Sequence, residues 1–213
     1  MKKLYTTFVL LLISFTVSAQ YGYRDSNRIG INIGVNQFTL NTKNFQTKPE
    51  LGWNGGLSIR GNFYNNWDMV YGIQFSENNF TVATNSKFLA NEDVNLKLAS
   101  AQISLQLSYR LIEHILSIEF GPIVQVGGKF KSEYDKENNN ISGTTLLVKD
   151  IQDISKFNFY PAVGVTAGVK HFRFNICYQY GINNMLENLN SKNLGYDFKG
   201  NPGILNGNII LYL

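Results

Sequence analysis

Arg60, Arg110, Glu119 and Arg173 all fall on the polar side of segments that alternate polar and apolar residues. A carboxylate among guanidinium groups forms strong charge-assisted hydrogen bonds, and a charge taken out of water without such a partner costs several kcal/mol. If the four residues share one interior, Glu119 must pair with one or more of the arginines. Two outcomes follow. The pairing either closes the interior as a structural salt-bridge network, which is the preferred reading, or makes a charged constriction that gates small ions.

Catalytic chemistry lacks its parts. The two histidines, His114 and His171, both fall in turns between alternating segments, and no Ser and acid stand beside either. A Ser-His-Asp arrangement needs hydrogen-bond contact among its members. There is no HExxH, no paired-cysteine metal motif and no phosphate-cradling glycine loop followed by Lys-Ser/Thr. Cys177 is the single cysteine, so no intramolecular disulfide can form. Glu133, Asp135 and Glu137 would offer oxygen ligands to a hard cation. Their spacing lacks the glycine and terminal glutamate of an EF-hand loop, and the bland reading is a solvated hairpin extension. No catalytic residue, metal or cofactor is therefore expected, and the chain is read as not an enzyme.

The elements that carry these residues are strands. Ile29, Ile31, Ile33 and Val35 alternate with Gly30, Asn32, Gly34 and Asn36, a period of two that marks a strand with one apolar face. The same alternation predicts strands over 28–38, 51–63, 67–77, 94–109, 115–130, 157–169, 172–181 and 204–213. In the last of these both faces look apolar, which leaves its register open. Long connections are expected at 39–50, 79–93, 131–156 and 182–203, and short ones at 64–66, 111–114 and 170–171. In 183–203, Met185, Leu186, Leu189, Leu194, Tyr196 and Phe198 give an apolar content that suits either a loop folded back over a barrel mouth, the preferred reading, or a partner contact.

Residues 1–19 read as a signal peptide. Lys2 and Lys3 precede an apolar run from Phe8 to Val17, and Val17-Ser18-Ala19 supplies small residues for cleavage after Ala19. Removing 19 residues leaves 213 − 19 = 194, and with two lysines gone the charge is 17 − 15 = +2. Nearly neutral, the mature chain has no field with which to attract nucleic acid. No later apolar run could cross a bilayer as a helix, so a membrane form must be a closed barrel, which alone among sheets leaves no backbone group unpaired in hydrocarbon. Each predicted strand reaches the roughly 9–11 residues of a tilted span.

The expected fold class is all-β: residues 20–213 form a single eight-stranded antiparallel transmembrane β-barrel in the outer membrane, with short periplasmic turns and long extracellular loops. Phe63, Tyr64, Trp67, Tyr109 and Phe172 would make the periplasmic aromatic girdle, and Phe38, Trp53, Phe75, Phe157 and Phe159 the outer one. The competing reading is a soluble barrel of the lipocalin type with its apolar faces turned inward on a hydrophobic ligand. Eight strands enclose an interior that side chains can fill, which disfavours an open porin.

The leader ending Ser18-Ala19-Gln20, the opening strand Ile29-Gly30-Ile31-Asn32-Ile33-Gly34, the Gly-rich strand around Trp53 and the aromatic-rich ending together resemble the PorT-like outer-membrane β-barrel proteins of Bacteroidetes-type bacteria. The resemblance implies contact with outer-membrane lipid and with the barrel assembly machinery, and through the loops with envelope or secretion proteins. One departure is that the chain ends in Leu213, after Tyr212, where barrels recognised by that machinery commonly end in an aromatic residue.

Overall fold

The computed structural model describes residues 28–85, 91–113, 115–192 and 194–213. The expected signal peptide, its cleavage point and His114 lie outside the described residues. Eight strands carry the fold: β1 (Arg28–Thr42), β2 (Thr47–Tyr64), β3 (Trp67–Asn85), β4 (Asn91–Ile112), β5 (Leu116–Gly127), β6 (Phe157–Gly168), β7 (Phe172–Tyr180) and β8 (Gly200–Tyr212). Each pairs antiparallel with the next in sequence, and β8 pairs with β1, which closes the ring. Closure satisfies the ladder on both sides of every strand, the condition for crossing hydrocarbon with a sheet. Among the described residues no helix is long and apolar enough to cross a membrane.

The wall is inside-out relative to a soluble barrel. Ile31, Ile33, Leu57, Ile73, Ile103, Val163 and Ile176 are exposed on the outside, while Asn54, Ser58, Gln102, Gln106, Thr166 and Gln179 are buried within. The lipocalin-like alternative is thereby excluded for the spanning part of the wall. Tight turns close one end. Asn65 sits in the left-handed region at φ 47° between β2 and β3, a conformation asparagine tolerates better than most residues.

The strands differ greatly in length. β1 to β4 run to 15, 18, 19 and 22 residues, whereas β5 to β8 have 12, 12, 9 and 13. The longer half of the wall therefore stands above the bilayer, and there the polarity of its faces inverts. On β4 the outward residues are Ala101, Ile103, Leu105, Leu107 and Tyr109 in the lower part but Asp93, Asn95 and Lys97 in the upper part. Its inward residues change from Ser100, Gln102 and Gln106 to Val94, Leu96 and Leu98, the last three fully enclosed. β1 and β3 invert in the same way, burying Phe38, Leu40, Phe80 and Val82 inside the extension.

This inversion corrects three expectations. The segments 39–50 and 79–93 are mostly strand, with β1 and β2 joined by residues 43–46 alone. Reading the apolar stripe on one face ends a strand where that stripe crosses to the other. Phe38, expected in the outer girdle, is 0% exposed and points inward, with its ring 5.6 Å from that of Phe80. Residues 131–156 are also not a solvated extension: Ile141, Leu146, Val148, Ile151 and Ile154 are buried, as is Phe130 just before them.

The extension forms a half-cylinder with an apolar inner face, and the two long loops cover it. From residues 128–156 come the six side chains just named, and from 181–199 come Met185, Leu186, Leu189 and Phe198. Each such burial is worth about 1.5–3 kcal/mol. Backbone bonds tie the loops to each other and to the wall: Ser155 N donates to Met185 O at 2.8 Å, Met185 N to Gly200 O at 2.8 Å, and Ser142 N to Ala83 O at 2.9 Å. The fold-back expected of 183–203 is found, although Tyr196 stays partly exposed.

Candidate functional site: a layered lumen

The lumen is built in layers. At the tight-turn end, which faces the periplasm in such barrels, side chains from all eight strands meet. Arg60 on β2 forms a buried ion pair with Glu119 on β5. Its Nη1 lies 3.2 Å from Asp68 Oδ2 and donates to Ser108 Oγ at 2.7 Å, while Nε donates to the Tyr212 hydroxyl at 3.3 Å. Glu119 also accepts from Ser108 at 3.3 Å and from Asn175 Nδ2 at 3.2 Å. Asn175 is held in turn by Thr166 at 2.9 Å. Cross-strand register explains the convergence, since Asp68 is level with Ser108, and Ser108 with Glu119.

The other two arginines expected in this network are placed differently. Arg110 is half-buried, donates to the Asn65 carbonyl in the β2–β3 turn, and has its Nε 3.8 Å from Asp68 Oδ1, an ion pair too long for a hydrogen bond. Arg173 is enclosed but bonds to no acid among the described residues. Its Cζ lies 6.0 Å from the centroid of the Tyr212 ring, and Arg60 Cζ lies 5.9 Å from the same ring. Glu119 therefore pairs with one arginine of the three.

Asp68, Tyr212 and Arg28 belong to this layer and were not singled out from sequence. Asp68 sits one residue into β3 beside a turn, where an acid reads as solvated. Tyr212 lies on the strand whose register was open, and Arg28 opens the first strand. Cross-strand alignment with Ser108 and Arg60 was the only signal that could have found Asp68 and Arg28.

Above this layer a polar cavity of about 60 Å³ is lined by residues that include Asn32, Gln74, Gln106, Cys177 and Asn208. Asn32 Oδ1, Ser58 Oγ, Gln74 Nε2 and Asn208 Oδ1 have no protein partner there. A polar void of this size suits a few bound waters. Cys177 is buried on its wall, accepting from Gln106 at 3.8 Å. Higher still, Gln102 donates to Gln125 and to Gln179, each at 3.1 Å, and Ser76, Ser100 and Asn78 bond to one another. The apolar cap closes the top.

On the outer wall, Trp53, Phe63, Tyr64, Tyr109, Phe157, Phe159 and Phe172 are all exposed. Trp67 packs its ring 4.8 Å from Tyr109 and 5.9 Å from Phe120. Trp67 and Tyr109 stand at the tight-turn end, Trp53 and Phe157 at the opposite end of the apolar band. His171 presents Nδ1 to Tyr212 O at 3.0 Å in the β6–β7 turn.

Among the described residues no group of three or more His, Cys, Asp or Glu could hold a metal ion. The loop acids weighed for calcium are engaged locally: Glu133 is 2.9 Å from Lys136, and Glu137 accepts from Gln152 at 3.2 Å. Lys136 also reaches Glu92 at 2.9 Å, strapping the loop to β4. Hydrogen bonds to the two carboxylates raise its pKa above the ordinary lysine value, so the strap keeps its charge at any physiological pH.

A closed ring of eight strands with an apolar outer band and a polar, filled lumen defines an integral outer-membrane β-barrel protein. The chain belongs to the outer membrane protein beta-barrel domain family, whose model matches residues 18–187. It is located in the outer membrane. Similar solved structures include Neisserial surface protein A (10% identity, TM-score 0.49, covering 86% of this chain and 96% of that one). The attachment invasion locus protein Ail of Yersinia pestis is 15% identical with TM-score 0.43, covering 87% and 99%. OprG from Pseudomonas aeruginosa is 10% identical with TM-score 0.45, covering 88% and 96%. No curated protein sequence matches the chain.

Proposed function

We propose that this protein is a non-enzymatic, non-conducting barrel that acts through its extracellular cap, as an envelope-structural element or a docking site for other envelope or secretion proteins. The observation that carries the reading is the lumen, obstructed at one end by the Arg60–Glu119–Asp68 layer and at the other by the apolar cap. A protein that moved solute through its barrel would leave that path open. The resemblance to PorT-like barrels supports the secretion-associated form of the docking role, and cleavage after Ala19 would deliver the mature chain to the envelope. In this reading the exposed aromatics form the two interfacial girdles, and the buried charges serve structure rather than gating.

Single-channel recording of the refolded chain in a planar bilayer tests the proposal. A silent bilayer after verified insertion is expected. A stable open current would replace it with the alternative, a narrow ion channel, and saturable uptake of an apolar solute would favour a ligand-binding barrel.

A further inference from the structure

We propose that the periplasmic end of the lumen is a binding site for a small free oxyanion of the phosphate or sulfate class, held by Arg173 and Arg28. The basis is an imbalance of charge. Among the described residues, four arginines, Arg28, Arg60, Arg110 and Arg173, meet two carboxylates, Asp68 and Glu119, in this layer. Both carboxylates are engaged by Arg60, and Asp68 is shared with Arg110. Arg173 is 4% exposed, its guanidinium donates no hydrogen bond among the described residues, and its Nε is sealed off without a partner. Arg28 is 8% exposed, stands directly opposite Arg60 across β1 and β2, and among the described residues makes one hydrogen bond, to Lys170 O at 2.6 Å.

A guanidinium enclosed without an acceptor loses its hydration and gains no hydrogen bond for it, which an aromatic ring at 6.0 Å offsets only in part. Like charges facing each other on neighbouring strands, as Arg28 and Arg60 do, add to this cost. Water could fill the donors but would leave the excess charge. An oxyanion answers both needs, because its oxygens match the planar fork of a guanidinium and its charge neutralises the surplus. Entry is from the periplasm alone, since the glutamine layer and the cap close the other side. Both arginines are buried inside the wall, so their ligand is a free anion and not a lipid headgroup anchored outside the barrel. Tyr212, already set between Arg60 and Arg173, leaves no aromatic platform for a nucleobase.

The test titrates inorganic phosphate into the refolded mature chain in neutral maltoside micelles, at constant ionic strength set with sodium chloride. Heat of binding and the temperature of the heat-modifiable gel shift are both read. Saturable one-site binding that raises the melting temperature is expected, and Arg173→Gln weakens it at least about tenfold, the loss of one strong charged hydrogen bond. Arg28→Gln weakens it in the same direction and serves as the second variant should Arg173→Gln not fold. In phosphate-free buffer Arg173→Gln melts no lower than the unaltered chain, since it removes an uncompensated charge. The absence of saturable binding would overturn the proposal, showing the charge to be met by water or by the chain itself. Binding that persists undiminished in both variants would overturn it equally.

Discussion

Arg60 and Glu119, 59 positions apart in the chain and on strands that are not neighbours in the wall, form an ion pair buried inside the barrel. The pair crosses the lumen and is completed by Asp68, Ser108, Asn175 and Tyr212. Breaking one side of such a pair leaves a charge enclosed and is expected to cost about 3–5 kcal/mol. Arg60→Met and Glu119→Leu should each lower stability by that order in urea titrations of the refolded protein. The double variant should cost clearly less than the sum. Additive losses would show that the two charges do not depend on each other.

The cap gives a different signature. Leu96 and Val148 are fully buried there, on the wall extension and on the long loop, so Leu96→Ala should cost about 2–5 kcal/mol. Residues 128–156 should become cleavable by an added protease in intact cells while heat-modifiable migration, set by the spanning wall, is kept. Loss of the whole barrel in this variant would mean that the cap is not a separable layer.

A charge on the outer wall reports depth. Ile33 and Asn41 lie on the same face of β1, one within the apolar band and one on the extension. Ile33→Arg is expected to cost about 2–4 kcal/mol, and Asn41→Arg about 0–1 kcal/mol, in refolding into lipid vesicles. Equal costs would contradict the placement of the bilayer edge between them.

The two tryptophans mark the two interfaces. Trp53 and Trp67 are the whole tryptophan complement and stand at opposite ends of the apolar band. Each should be quenched more by bromines placed near the lipid headgroups than by bromines at the chain ends, as measured in Trp53→Phe and Trp67→Phe chains. Strong quenching by mid-bilayer bromines would remove either residue from a girdle.

Much of the spanning wall was legible because a period of two with one apolar face needs no tertiary information. Strands β5 to β7 and the turns at Asn65-Asn66 and Lys170-His171 follow from it closely. The extension was not legible as strand, since Phe38, Leu40, Phe80 and Val82 sit on the face that carries polar residues lower down, and only the membrane boundary explains the change. β8 shows the same conflict in one strand: Ile204 points into the cap and Ile210 into the lumen cavity, while Leu205, Ile209 and Leu211 face outward. Of the candidate site, the Arg60–Glu119 pair was foreseeable as a need of Glu119. Which arginine answers it depends on cross-strand register, which no local pattern encodes.

One strand, β4, crosses from a lipid-facing to a water-facing environment, its inside and outside exchanging polarity between Leu98 and Ala101. Single cysteines at 95, 96, 97, 103 and 105, in a Cys177→Ser chain, treated on intact cells with a membrane-impermeant thiol reagent, test it directly. Labelling at 95 and 97 with protection at 96, 103 and 105 is the result expected. Labelling at 103 or 105, or stronger labelling at 96 than at 95, would contradict it.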